Sequence, residues 1–256
     1  MKKLLLASVS AFALAGMAYG ADMTPAPAFK ALPPPPATWA GFYVGIDGGA
    51  VRHDAEFNDL SDFLSISTKS TSKSGGVFGG HAGYNFQDRS FVYGVEADVS
   101  WVGAKATETW GFPSLNNQTF PQSQDVPWVA TFRGRMGIDY ESTLFYITGG
   151  LAVGKVKNSF SGVCAVNSAC FDVPAGATFA SFSEDTTRVG WTAGVGVEHM
   201  FSSHWTVRGE FRYVDLGRSS VGCTPALVTG CAANINYRGE FSNTLMNGLV
   251  GVGYKF

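Results

Sequence analysis

Eight stretches of this chain alternate apolar and polar residues with a period of two: 42–50, 78–86, 91–101, 128–138, 145–153, 189–199, 205–213 and 244–256. That period belongs to a β-strand with one apolar face. In 91–101, Phe91, Tyr93, Val95, Ala97, Val99 and Trp101 share one face, and Val92, Gly94, Glu96, Asp98 and Ser100 the other. In 205–213, Trp205, Val207, Gly209, Phe211 and Tyr213 oppose Thr206, Arg208, Glu210 and Arg212. The windows hold ten charged residues: Asp47, Glu96, Asp98, Arg133, Arg135, Glu198, Arg208, Glu210, Arg212 and Lys255. All ten fall opposite the large apolar side chains, five acidic and five basic. One face of the sheet is therefore apolar and free of charge. The other is small, polar and internally neutralised.

A soluble barrel fills its interior with bulky apolar side chains. Here the polar face is the one rich in glycine, with ionisable groups between. That suits a narrow lumen packed with paired charges, because unpaired buried charge is costly. On the apolar face, aromatics stand near the segment ends: Phe91, Trp101, Trp128, Trp191, Trp205 and Tyr254. Membrane barrels carry such girdles at their two interfaces. The links alternate too. Segments 1–2, 3–4, 5–6 and 7–8 are joined by about 25–35 residues, and segments 2–3, 4–5 and 6–7 by short turns. Short periplasmic turns and long outer loops are the bacterial outer-membrane pattern. The expected fold is all-β: a single eight-stranded antiparallel transmembrane barrel over 39–256, its termini periplasmic.

The rest of the chain agrees with that expectation. Lys2 and Lys3 precede an apolar run from Leu4 to Met17, and Ala18-Tyr19-Gly20 offers small residues for cleavage before Ala21. Residues 1–20 read as a secretory signal peptide. Removing those two lysines from the 18 basic residues leaves 16 against 20 acidic, a net charge of −4. Residues 21–38 are a Pro-rich periplasmic tether, since 24–36 hold six of the eleven prolines. Charged residues are 15% of the chain, against the usual figure of about 25%. With no Lys/Arg run, nucleic acid is excluded as a partner. No later stretch has the ~20 apolar residues of a membrane helix.

A set of motifs gives the chain a family likeness. They are Trp39-Ala-Gly-Phe-Tyr-Val-Gly, Gly76-Val-Phe-Gly-Gly-His-Ala-Gly-Tyr-Asn, Tyr93-Gly-Val-Glu-Ala-Asp, Arg133-Gly-Arg-Met-Gly and Thr148-Gly-Gly-Leu-Ala. Gly190-Trp-Thr-Ala-Gly-Val-Gly-Val-Glu, Tyr213-Val-Asp-Leu-Gly and the terminal Gly253-Tyr-Lys-Phe complete it. Through these, residues 39–256 resemble the alpha-proteobacterial eight-stranded proteins called porin-family or outer-membrane immunogenic proteins, relatives of the OmpA-like barrels. The resemblance implies an outer-membrane location. It also implies that the barrel-assembly machinery recognises the closing strand through Val250, Val252, Tyr254 and Phe256. About activity it implies less: such proteins are described as structural, as surface antigens and, in some lineages, as haem binders.

Candidate chemistry is sparse. If the strands run up and down in order, Glu96 and Asp98 face Arg133 and Arg135 at mid-height, and Arg208, Glu210 and Arg212 extend the set. Asp47 and Glu198 share that face. The set reads either as a neutral plug or as an ion-selective gate. Eight strands enclose a space that side chains fill, whereas open porins use about 16–18. Cys164 and Cys170 lie in the third long link, and Cys223 and Cys231 in the fourth. An even count in an exported chain suggests disulfides. Pairing within each link is favoured among three possibilities, and the spacings match no zinc site. The histidines are His53 at the start of the first outer loop, His81 facing the lumen, and His199 and His204 at the periplasmic end. There is no Gly-x-Ser-x-Gly elbow, no His-Glu-x-x-His and no Walker lysine.

The chain is accordingly expected to be no enzyme and to need no cofactor. Three roles remain. The first is structural and surface-interacting, with membrane lipid around it and exposed loops. The second is a narrow passive channel. The third is a surface receptor for an extracellular ligand such as haem, through His53 or the loop aromatics.

Overall fold

The computed structural model describes residues 38–60, 69–112, 118–165, 174–223 and 237–256. The signal peptide, nearly all of the tether, Cys170 and Cys231 lie outside them. The described residues form ten antiparallel strands: β1 Gly41–Asp59, β2 Lys69–Asp88, β3 Phe91–Val102, β4 Ala106–Phe112 and β5 Gln118–Asp125. Then follow β6 Trp128–Tyr140, β7 Thr143–Val163, β8 Thr178–Met200, β9 Trp205–Cys223 and β10 Tyr237–Lys255. Eight of them, β1-β2-β3-β6-β7-β8-β9-β10, close into a ring through the β1–β10 and β7–β8 pairings. These are the eight strands that alternation anticipates. β4 and β5, which it does not, form a hairpin that leaves the ring after β3 and docks on β7.

The ring strands run well past the expected windows, and the reason is written in β1. From Phe42 to Ala50 the even positions carry the apolar residues, and Ile46 is 71% exposed on the outer wall. From Val51 the phase inverts. Val51, His53, Ala55 and Phe57 are buried inside, while Arg52, Asp54, Glu56 and Asn58 face outward. The backbone has not turned; its surroundings have changed from lipid to water. β7 does the same: Leu151 is 59% exposed outside, then Val156 and Phe160 are buried inside beneath outward Lys155 and Lys157. Much of the expected loop sequence is thus barrel wall standing above the membrane.

Beyond the lipid belt the ring divides. β8 and β9 pair only as far as Trp191 and Asp215, and β2 and β3 only as far as Val77 and Val102. Above those points one sheet is β4-β5-β7-β8 and the other β2-β1-β10-β9. Phe120 and Phe160 from the first meet Phe57 and Phe241 from the second. Phe57 stacks on Phe160 with ring centroids 6.0 Å apart and tilts against Phe241 at 5.0 Å. A bulge at Gly217 helps to bring β9 inward. Its φ of 73° needs glycine, its N–H donates to Asp215 Oδ1 at 2.7 Å, and the register shifts between Ser242 and Thr244. Ser219 faces inward in consequence.

At the other end the turns are tight. Glu141 and Ser142 both take positive φ, at 47° and 66°, as the two-residue turn that matches strand twist requires. Trp39 folds under this end. Its N–H and the Thr38 hydroxyl both donate to Gln87 Oε1, and its ring is buried with Val92, Leu144, Tyr146 and Met200.

Candidate functional site: a closed ionic lumen

Strand parity sends Asp47, His81, Glu96, Asp98, Arg133, Arg135, Glu198, Arg208, Glu210 and Arg212 into the lumen, and all of them are buried. Arg133 lies opposite Glu96 across β3–β6 and binds it. Its second amino group reaches Glu210 at 2.5 Å, and it stands 3.2 Å from Asp98. Arg208 takes Asp47 with two parallel bonds of 2.8 Å each and Glu96 with a third, also 2.8 Å. Arg212 donates to Asp98 at 2.7 Å, and the Thr131 hydroxyl donates to the same carboxylate. Tyr43 donates to Glu96 at 2.9 Å and Tyr146 to Glu210 at 3.0 Å.

Two details depart from the expected pairing. Arg135 serves chiefly Glu198, with its guanidinium carbon 3.8 Å from the centre of the Tyr146 ring. It is 3.8 Å from Glu96. Asp98 lies opposite Thr131 rather than opposite an arginine, and takes its 2.7 Å bond from Arg212. The charged layer therefore comprises five carboxylates and four guanidiniums among the described residues, and His81 Nδ1 sits 2.7 Å from Asp47 Oδ2 as a further partner. Strand parity is what sends His81 to the lumen.

Glycine makes the room. Directly opposite Tyr43 is Gly83, opposite His81 is Gly45, opposite Asp47 is Gly251, and opposite Tyr146 are Gly137 and Gly196. A Cβ at Gly83 would collide with the Tyr43 ring, at Gly45 with His81, at Gly251 with Asp47 and at Gly196 with Tyr146. The glycine-rich polar face and its large side chains are one device: Tyr43, His81, Asp47 and Tyr146 each lie across a bare backbone.

The charged layer is closed on both sides. Toward the short turns lies the Trp39 cluster. Toward the loops lie Val51, Val77, Val102, Val126, Val129, Val156, Leu216, Leu245 and Leu249, all buried. Above them His53 is wholly buried, not at a loop start as expected. Its Nδ1 lies 3.2 Å from the Ala104 carbonyl and its Nε2 2.9 Å from Asn243 Oδ1. Both ring nitrogens are engaged inside the wall, so His53 does not present an axial ligand to the surface. The phenylalanine cluster lies above it.

The remaining sequence candidates sit elsewhere. Val250, Val252 and Phe256 face outward, 65%, 42% and 66% exposed, and Tyr254 meets Trp205 edge-on at 5.1 Å. His199 and His204 lie at the short-turn end, bonded to Thr143 and Ser203. Cys164 is buried and disulfide-bonded. Cys223 ends β9. Among the described residues no group of three His, Cys, Asp or Glu side chains could hold a metal.

The chain is similar in sequence to known outer-membrane proteins. The 31 kDa outer-membrane immunogenic protein of Brucella melitensis is 33% identical over 86% of this chain and 90% of its own length. The 22 kDa outer membrane protein of Rhizobium leguminosarum is 32% identical over 71% of this chain and 66% of its own. Among solved structures, OprG from Pseudomonas aeruginosa matches with a TM-score of 0.43 and 15% identity, over 85% of this chain and 96% of that one. The outer membrane protein beta-barrel domain matches residues 4–256. With its outward apolar belt, its closed ring of eight strands and these relatives, the chain belongs to the outer membrane protein beta-barrel family and is an integral protein of the bacterial outer membrane.

Proposed function

We propose that this protein works from its outside: it braces the outer membrane and presents a raised, polar wall and its loops to the environment, without catalysis and without conducting. The observation that carries this reading is the stacked closure of the lumen. An apolar base, a charged layer whose carboxylates are all partnered, an apolar layer and a phenylalanine cluster succeed one another along the axis. A selective channel needs binding weak enough for the ion to leave, and guanidinium–carboxylate pairs of 2.5–2.8 Å in a desolvated lumen oppose this. The barrel-assembly machinery as a partner through Phe256, and the lumen residues as an internal staple, belong to the same proposal.

Cysteine labelling on intact cells tests the surface role. Ser183 stands on β8 above the lipid belt and Ser203 in a short turn, both exposed. A membrane-impermeant maleimide should label Ser183→Cys and spare Ser203→Cys. Equal labelling of both, or labelling of Ser203→Cys alone, would refute a wall raised into the medium.

A further inference from the structure

The outer wall is not charged alike on its two upper sheets. On β2-β1-β10-β9, Arg52 pairs with Asp54 at 2.9 Å, Arg218 with Glu240 at 3.3 Å, and Lys73 reaches Glu108 of β4 at 3.1 Å. On β4-β5-β7-β8, Lys105, Lys155 and Lys157 gather around two carboxylates, Asp125 and Asp185. Lys157 lies between Asp125 and Asp185 in register, and Lys105 precedes the Ala106–Gln124 pair, beside Asp125. Of the three lysines, only Lys155 forms an ion pair, with Asp185 at 3.1 Å. Lys105 and Lys157 have no carboxylate partner among the described residues.

The height of this cluster gives it meaning. The lipid-facing belt ends at Trp101 on β3, at its partner Trp128 on β6, and at Val153 and Val189, paired on β7 and β8. Lys155 is the next outward side chain after Val153, about 7 Å further along the strand. Lys105 follows Trp101 by four residues. Below it an apolar groove runs over Gly76, Val77, Phe78, Trp101, Gly103 and Pro127, with Phe78 and Trp101 stacked at 5.3 Å. Three ammonium groups against two carboxylates thus stand directly over an aromatic interface, where the headgroups of the outer leaflet lie.

We propose that this face holds one outer-leaflet glycolipid: its anionic sugar phosphate on Lys105, Lys155 and Lys157, and an acyl chain in the groove beneath. Charge complementarity sets the occupant. Among the described side chains of the upper wall, the outward lysines without partners are on this sheet, and they sit at phosphate level above the groove lined by Phe78 and Trp101.

Native mass spectrometry of the folded full-length mature protein, with bisphosphorylated lipid A as the probe, tests this. Folding of each variant is verified first by heat-modifiable gel mobility. Wild type should carry one lipid A. Lys105→Gln with Lys157→Gln should weaken binding about 30-fold, from two lost surface charges. Dephosphorylated lipid A should bind as weakly to wild type as the intact lipid does to the variant. Arg218→Gln, on the other sheet, should leave binding unchanged. The proposal fails if the folded double variant binds like wild type. It also fails if Arg218→Gln weakens binding equally, or if phosphatidylglycerol binds as tightly as lipid A.

Discussion

Arg208 clasps Asp47 across the lumen, from β9 to β1, with two parallel 2.8 Å bonds that skip the strand lying between them. Such two-pronged pairs fix geometry as well as charge. They act as crossbeams between strands that share no backbone hydrogen bonds. Arg133 does the same from β6 to Glu210 of β9, besides binding Glu96 on the neighbouring β3.

Arg133→Ala should therefore destabilise the barrel by about 3–5 kcal/mol, because in a dry interior it takes one charged partner from Glu96, which keeps Arg208 and Tyr43, and leaves Glu210 with the Tyr146 hydroxyl. Urea unfolding in phospholipid vesicles, followed by tryptophan fluorescence, measures it. A loss under ~1 kcal/mol would mean that water already reaches these carboxylates.

The glycine rule gives a paired prediction. Gly83→Ala and Gly251→Ala place a methyl group against Tyr43 and Asp47 and should cost about 1–3 kcal/mol each. Gly209→Ala and Gly248→Ala meet nothing within 4 Å and should be close to neutral. The same unfolding assay separates the two pairs. Equal effects in both would show that glycine serves the backbone rather than the neighbour.

Above the membrane, Phe241→Ala should cost about 3–5 kcal/mol, since the ring is fully buried between the two sheets. It should also loosen the upper wall before the lower. Hydrogen exchange should then rise in 237–243 and 155–163 while 244–254 stays protected. Uniform exchange along β10 would contradict independent behaviour of the upper wall.

Asp54 stands outside the membrane on β1. Its slight burial would raise its pKa, but hydrogen bonds from the Ser72 hydroxyl and Arg52 outweigh that and hold it below the ordinary carboxylate value. A depressed folded-state pKa adds stability that is present above the unfolded value and is lost as pH falls through the folded one. Because the Arg52–Asp54 pair lies on the solvent side of the wall, with Arg52 exposed and Asp54 half-buried, the contribution is under about 1 kcal/mol. Asp54→Asn should therefore lower stability slightly at neutral pH and leave it unchanged in strong acid, below both pKa values. A variant less stable at the acid end would reverse that sign.

The lipid-spanning part of every ring strand is legible in the sequence, because lipid outside and charge inside make the strictest alternation a chain can carry. The lumen set is legible from parity alone. Two features are not. Past Ala50 the alternation continues through Val51, His53, Ala55 and Phe57 with inverted phase, so a search for outward apolar residues stops there and takes the rest for loop. His53 reads as a loop residue for that reason. β4 and β5 escape notice because Thr107, Thr109, Gln122, Ser123 and Gln124 look like solvated loop, and only their pairing with each other and with β7 makes them strands. The exact ion pairs, such as Arg135 with Glu198, depend on the curvature of the wall, which lets side chains of β6 and β8 meet over β7 and which no local pattern contains.

Single-channel recording in a planar bilayer tests the closed lumen most directly. Mature protein, shown by gel mobility to be folded and inserted, should give no steady openings. Steady, voltage-independent openings from the wild-type protein, changed in size by Arg133→Ala, would contradict the sealed lumen and with it a role confined to the outer surface.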